Sequence, residues 1–107
     1  MSGILENRLK NFGFVCVQAD EAEELYFLDT GRSTTLFIEG KMELHSEYGE
    51  EFYYDFYKKT FYERHANKDT VYGEHLDAMK IVDRVSRYFE NREKYLKMKD
   101  RRRNDKR

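Results

Sequence analysis

The chain is 107 residues long, the size of a single domain, and its nine Tyr and eight Phe exclude a fully disordered protein because they supply ample apolar area for a core. Its formal net charge of −1 conceals a segregation of charge: residues 1–78 hold 16 Asp and Glu against 8 Lys and Arg, whereas residues 79–107 hold 5 against 12. We therefore predict one globular domain over residues 1–96 and a basic C-terminal extension, helical or frayed, over residues 97–107.

The N-terminal part predicts a short helix followed by two strands. Apolar residues recur at helical spacing over residues 3–11, and a glycine at position 13 ends the pattern. Residues 13–18 and 25–28 are predicted strands, separated by a polar turn. Cys16 is the only cysteine, so the chain cannot form an internal disulfide, and we interpret this side chain as a small buried hydrophobe.

Residues 34–48 have the clearest strand pattern in the chain. Apolar residues occupy the even positions and charged residues the odd ones, so one face is predicted to be buried and the other to be in water. Gly40 interrupts this alternation. A hairpin with a three-residue loop over residues 39–41 and one long bent strand both keep the two faces separate, and both remain open.

Residues 50–64 are predicted to form a helix, with a strand as the alternative. The aromatic content favours a strand, but Phe52 and Phe56, like Tyr53 and Tyr57, stand four residues apart as on one face of a helix. Acidic residues come first and basic residues last, which suits the helix dipole.

A long helix is predicted to begin near Thr70, with Asp69 or Thr70 as its N-cap, because a broad apolar stripe at helical spacing runs to Leu96. The predicted class is therefore α+β: an antiparallel meander of three to four strands, with a short N-terminal and a long C-terminal helix packed on one face. The predicted core consists of Phe14, Val15, Val17, Leu25, Phe27, Leu36, Ile38, Met42, Leu44, Phe56, Ala78, Val82, Val85 and Phe89.

The sequence predicts a cytoplasmic location. The first residues have neither the basic nor the apolar region of a signal peptide, and no apolar run approaches the length of about 18 residues that a membrane span requires. A single cysteine is also typical of a reducing compartment.

No motif of an enzyme or of a metal site is present in the sequence. His45, His65 and His75 lack the close spacing of zinc ligands, the serines stand in no nucleophile elbow, and no glycine-rich phosphate loop occurs. We therefore predict a non-enzymatic protein without cofactor or metal, and a histidine-centred enzyme is the least favoured alternative.

An acidic, tyrosine-rich segment is the leading candidate for a binding site. Residues 20–55 hold 11 acidic and 2 basic residues, and tyrosine is common at binding hot spots because it buries area while keeping a polar tip. We predict that this segment binds a basic surface of a protein partner, as an inhibitor or a nucleic-acid mimic. The predicted contact residues are Glu39, Glu43, Glu47, Tyr48, Glu50, Glu51, Tyr54 and Asp55.

The basic C-terminal segment carries the alternative function, which is binding of nucleic acid as an accessory protein. The predicted contact residues are Lys94, Lys97, Lys99, Arg101, Arg102, Arg103, Lys106 and Arg107. Self-association, with this segment of one copy on the acidic face of another, is a further interpretation.

Overall fold

The computed structural model describes residues 2–31, 33–45, 47, 49–61 and 68–105. Within these residues the chain forms two helices and five strands: α1 (Ser2–Asn11), β1 (Val15–Ala19), β2 (Glu23–Asp29), β3 (Thr34–His45), β4 (Gly49–Thr60), β5 (Lys68–Leu76) and α2 (Ala78–Asp105). The strands form one antiparallel sheet in the order β1-β2-β3-β4-β5. The predicted α+β class and the two terminal helices are confirmed, and the sheet has five strands, more than the predicted three or four.

Both helices pack on the same face of the sheet, which we call the covered face. A single cluster of buried side chains joins α1, the sheet and α2, and the rings of Phe12 and Phe89 stack with centroids 5.6 Å apart. The buried members of this cluster are Leu5, Leu9, Phe14, Tyr26, Leu36, Ile38, Tyr54, Phe56, Leu76, Ile81 and Val85.

No helix in the described residues is long and apolar enough to cross a membrane.

The prediction of a helix over residues 50–64 is wrong, because residues 49–60 form β4. A spacing of four residues is one helical turn but also two periods of a strand, so the aromatic pairs fit both structures. In β4, Tyr54 and Phe56 are buried on the covered face, while Asp55 and Tyr57 point to the other side. Residues 62–64 of the predicted helix lie outside the described residues.

The last helix begins later than predicted. Residues 68–76 form β5, and α2 starts at Ala78, where the backbone N–H of Lys80 donates to Asp77 Oδ1 over 2.8 Å. Asp77 is therefore the N-cap, and the prediction of Asp69 or Thr70 is wrong. The strand escaped prediction because its bulges break the alternation of residues along it.

Residues 34–45 form one strand through Gly40, so the long-strand alternative is the one that the structure shows. The ring of Tyr54 lies over this glycine: a Cβ built there would stand 2.5 Å from Tyr54 Cε1. Gly40 is thus required by close packing on the neighbouring strand and does not mark a turn.

Parts of the predicted core are wrong, because some apolar residues lie away from the helices. Val15, Val17 and Leu44 are 52%, 58% and 75% exposed, and Ala78 is exposed at the start of α2. Leu25, Phe27, Met42, Val82 and Phe89 are only partly buried, and so is Cys16. The buried residues missing from the prediction are Leu5, Leu9, Tyr26, Tyr54, Leu76 and Ile81.

The outer strand pairs of the sheet are irregular. The register of β1 with β2 shifts between Cys16 and Gln18, and the register of β4 with β5 shifts on both sides of Phe56. The inner pairs, β2 with β3 and β3 with β4, are continuous. The centre of the sheet therefore holds an uninterrupted ladder, and its two edges are bulged.

Candidate functional site: the uncovered face of the sheet

The side of the sheet opposite the helices, which we call the open face, is not covered by any element in the part of the chain that the structure describes. Successive residues of a strand point to opposite sides. Since Leu36, Ile38 and Phe56 are buried on the covered face, their neighbours Phe37, Glu39 and Asp55 belong to the open face.

An apolar row crosses the open face from edge to edge. Its members are paired through all five strands, in the order Val15, Phe27, Phe37, Tyr57 and Val71. The rings of Phe37 and Tyr57 stack with centroids 5.4 Å apart, and the two valines at the ends are 52% and 53% exposed. A continuous, partly exposed apolar row of this kind is typical of a surface that contacts a partner.

Carboxylates face each other directly beside this row. The register pairs Glu39 with Asp55 and, four residues further along, Glu43 with Glu51. Like charges placed directly opposite on neighbouring strands destabilise a sheet. The fold therefore retains two pairs of like charges at cross-strand positions, which the pairing of strands alone would disfavour.

Hydrogen bonds from aromatic side chains and from the backbone hold these carboxylates in place. The Tyr57 hydroxyl donates to Glu39 over 2.7 Å, and the Tyr53 hydroxyl donates to Glu51 over 3.2 Å. Burial and the bond to Glu39 raise the pKa of Tyr57, so this hydroxyl remains a neutral donor. No lysine or arginine within the described residues forms an ion pair with Glu39, Glu51 or Asp55.

His75 belongs to the same cluster, although the sequence did not mark it as a contact residue. Its backbone lies in the left-handed region, with a φ of 51°, and its N–H donates to Asp55 Oδ1 over 2.9 Å. The imidazole stacks on the Tyr53 ring with centroids 3.9 Å apart, and its Nε2 lies 2.9 Å from Glu43 Oε2. A bulge in β5 places the ring there, which residue spacing does not reveal.

The structure brings together four of the eight predicted partner-binding residues: Glu39, Glu43, Glu51 and Asp55 share the open face. Glu47 is exposed between β3 and β4. Glu50 is exposed but pairs with Leu44 on the side that carries the helices. Tyr48 lies outside the described residues.

Tyr54, the remaining predicted contact residue, is only 3% exposed and belongs to the core. Its hydroxyl donates to Glu24 over 2.7 Å, and the Tyr26 hydroxyl donates to the other oxygen of the same carboxylate over 2.5 Å. Burial, followed by the bond to Glu24, raises the pKa of both tyrosines. Glu24 is thus a buried carboxylate satisfied by two hydroxyl donors, a structural arrangement that the sequence pattern did not indicate.

The predicted nucleic-acid-binding residues lie at the far end of α2. Lys94 and Lys97 are exposed, and Lys97 pairs with Glu93 over 3.4 Å. The helical backbone continues through Lys99, Arg101, Arg102 and Arg103 to Asp105, and Lys106 and Arg107 lie outside the described residues.

The open face presents carboxylates beside an apolar row. Within the described residues, no group of three or more His, Cys, Asp and Glu side chains is placed to hold a metal ion. Burial and the neighbouring Glu6 raise the pKa of the Cys16 thiol, which disfavours the thiolate that a nucleophile requires. The paired carboxylates can accept hydrogen bonds from lysine or arginine side chains of another molecule. The apolar row can cover the methylene stems of those lysines or arginines.

The sequence matches no protein-family model, and no curated protein or solved structure shows significant similarity to it.

Proposed function

We propose that this protein is a non-enzymatic interaction module whose open face binds a basic surface of a protein partner. The observation that carries the proposal is the presence of two pairs of opposed carboxylates, Glu39 with Asp55 and Glu43 with Glu51. Natural folds keep locally destabilising arrangements at sites that function requires.

The charge of the whole face supports a cationic partner. By the strand register, the face carries two lysines, Lys41 and Lys59, together with His75. Its carboxylates are Glu23, Asp29, Glu39, Glu43, Glu51, Asp55 and Asp69. Such an excess attracts a basic surface over a Debye length of about 8 to 10 Å at physiological salt.

The geometry suits arginine or lysine side chains. The two carboxylate pairs are four residues apart along β3, which corresponds to about 13 Å at the rise of a strand. Two partner cations at that separation would each meet a pair of acceptors already oriented by Tyr53 and Tyr57. Arginine can also stack on the partly exposed aromatic rings of this face. A partner groove that normally holds phosphates would satisfy these conditions, so the protein would compete with nucleic acid there.

Charge reversal at one member of each pair tests the proposal. Glu39→Lys with Glu51→Lys should abolish capture of partners from a nuclease-treated native lysate, while each opposed like-charge pair becomes a pair of opposite charges. The matched control is Glu90→Lys with Glu93→Lys, which makes the same net change on the exposed side of α2 and should leave capture intact. Undiminished capture by the open-face variant would contradict the proposal.

A second candidate function is nucleic-acid binding by the C-terminal segment. It is supported by α2, whose helical backbone continues to Asp105 and includes Lys94, Lys97, Lys99, Arg101, Arg102 and Arg103. Truncation after Tyr95 should then remove retention of labelled RNA or DNA together with its steep salt dependence. Full-length protein that retains neither at low salt would exclude this candidate.

A further inference from the structure

A basic cavity of about 660 Å³ lies between α2 and the strands β4 and β5. This volume falls within the range of small-molecule sites, about 300 to 1,000 Å³. Positions 84, 87, 88, 91 and 92 of α2 contribute to its wall, and these are successive turns on one side of a helix. Lys58 and Tyr72 complete the lining from the sheet. The cavity is thus formed at the rim of the covered face, away from the open face.

The charge of the lining is entirely positive. Its ionised side chains are Lys58, Arg84, Arg87 and Arg92, and no carboxylate of the described residues lines the cavity. Lys58 is partly buried and forms no ion pair within the described residues. The ion pair of Arg87 with Asp83 is 3.3 Å long and well exposed, so it neutralises this arginine only weakly. Arg92 is likewise partly buried and forms no ion pair within the described residues, so Lys58 and Arg92 favour the entry of an anion.

Two of the arginines are held in position by backbone carbonyls. Arg84 Nη1 donates to the carbonyl of Tyr72 over 2.6 Å, and Arg92 Nη2 donates to the carbonyl of Thr30 over 3.0 Å. A guanidinium has five N–H donors, so each arginine retains donors beyond this anchoring bond. Their positions are therefore set before a ligand arrives, which lowers the cost of binding.

The cavity also has an aromatic wall. The rings of Tyr72 and Tyr88 lie with centroids 4.9 Å apart and both pack on Phe56. Burial raises the pKa of Tyr88, while the charges of Arg92 and Lys58, which line the same cavity, oppose this rise. The lining thus combines positive charge with flat, partly apolar surface, which is the combination that binds a phosphate attached to a base.

We propose that this cavity binds a nucleotide, with its phosphate on Lys58, Arg84 and Arg92 and its base against Tyr72 and Tyr88. The ligand is either a free nucleotide or one within a single strand, since both present the same groups. The proposal is independent of the function proposed for the open face, because the two sites share no residue.

The test measures fluorescence anisotropy of two probes at low salt with the full chain: a fluorescent ATP analogue and a short fluorescein-labelled oligothymidylate. Lys58→Glu should weaken binding by about tenfold or more, the effect of losing one charge-assisted hydrogen bond. The matched control is Lys59→Glu, the same change at the next residue, which points to the open face. It should change the affinity by less than about twofold. Thermal unfolding of each variant verifies its fold, and Lys58→Gln serves if the glutamate variant is unstable.

Binding of both probes, with ATP displacing the oligonucleotide, identifies a free nucleotide as sufficient. Binding of the oligonucleotide alone, sensitive to Lys58→Glu, identifies a nucleotide within a strand. The proposal is overturned if neither probe binds, or if the variants at positions 58 and 59 weaken binding equally. It is also overturned if Lys94→Glu with Lys97→Glu removes oligonucleotide binding while Lys58→Glu does not, since the C-terminal segment would then be the site.

Discussion

The two faces of the sheet are built from alternate residues of the same strands, yet the carboxylates of the two faces have different surroundings. On the covered face, the buried Glu24 accepts hydrogen bonds from Tyr26 and Tyr54 and belongs to the core. On the open face, carboxylates are set against each other, and two of them are oriented by tyrosines at the surface. The comparison indicates that the polar groups of the covered face are satisfied within the core, whereas those of the open face lie at the surface, where we propose that a partner binds.

Truncation of one aromatic ring on each face should give the largest difference. Phe56 is fully buried and touches Phe14, Tyr72 and Tyr88, so Phe56→Ala should lower the free energy of unfolding by about 3 to 5 kcal/mol. Phe37→Ala, on the open face, should cost about 1 kcal/mol because it loses chiefly one stacked ring. Urea unfolding measures both, and equal losses would show that the open face is part of the core.

Removal of one hydroxyl on each face should give the next largest difference in the free energy of unfolding. Tyr54→Phe leaves one oxygen of the buried Glu24 without its donor, which should cost about 1 to 3 kcal/mol. Tyr53→Phe removes the adjacent hydroxyl from the open face, where water can replace it at Glu51, and should cost less than about 0.5 kcal/mol. Comparable urea midpoints for the two variants would contradict this assignment.

Alkaline pH should lower stability in part through the two buried tyrosines of the covered face, Tyr26 and Tyr54. The pKa values of Tyr26 and Tyr54 are raised above the ordinary value of 10.0, chiefly by burial. The unfolded chain therefore releases these protons first, and stability that is fully present below about pH 10 falls as the pH rises beyond it. The fall in urea midpoint between about pH 9 and about pH 11 should be smaller in Tyr26→Phe with Tyr54→Phe than in the parent protein. An equal fall in the double variant and the parent protein would show that other groups cause the sensitivity to alkaline pH.

The smallest effect on the free energy of unfolding is expected from the substitutions that also test partner binding. Glu39→Lys and Glu51→Lys each turn a like-charge pair into an opposite-charge pair, so each should raise the free energy of unfolding by about 0.2 to 1 kcal/mol. Because these are the substitutions expected to abolish capture, a gain in stability with a loss of binding would separate the two roles. A loss of stability in both variants would mean that the carboxylates support the fold.

The sequence predicted those features that depend on one segment at a time. Strict alternation along β3 assigned Glu39 and Glu43 to one face, and the broad apolar stripe indicated α2. It misassigned β4 because four-residue spacing suits both periods, and it merged β5 with α2 because Val71, His75 and Ala78 happen to stand at helical spacing.

The candidate site was predicted only in part for a related reason. Pairing of Glu39 with Asp55, and the row from Val15 to Val71, arise from the mutual register of strands, which no single segment encodes. His75 joins the cluster through a left-handed backbone in a bulged strand. The basic cavity likewise forms where distant parts of the chain meet.

The bulges at both outer strand pairs have a consequence for how this molecule can associate. A straight, unpaired strand offers a row of backbone groups to any extended peptide and invites open-ended stacking of identical chains. Here β1 is short and bent, and β5 is distorted at two places beside β4. Assembly of molecules by pairing of their edge strands is therefore disfavoured. Contacts with other molecules would then be made by side chains, which can be selective.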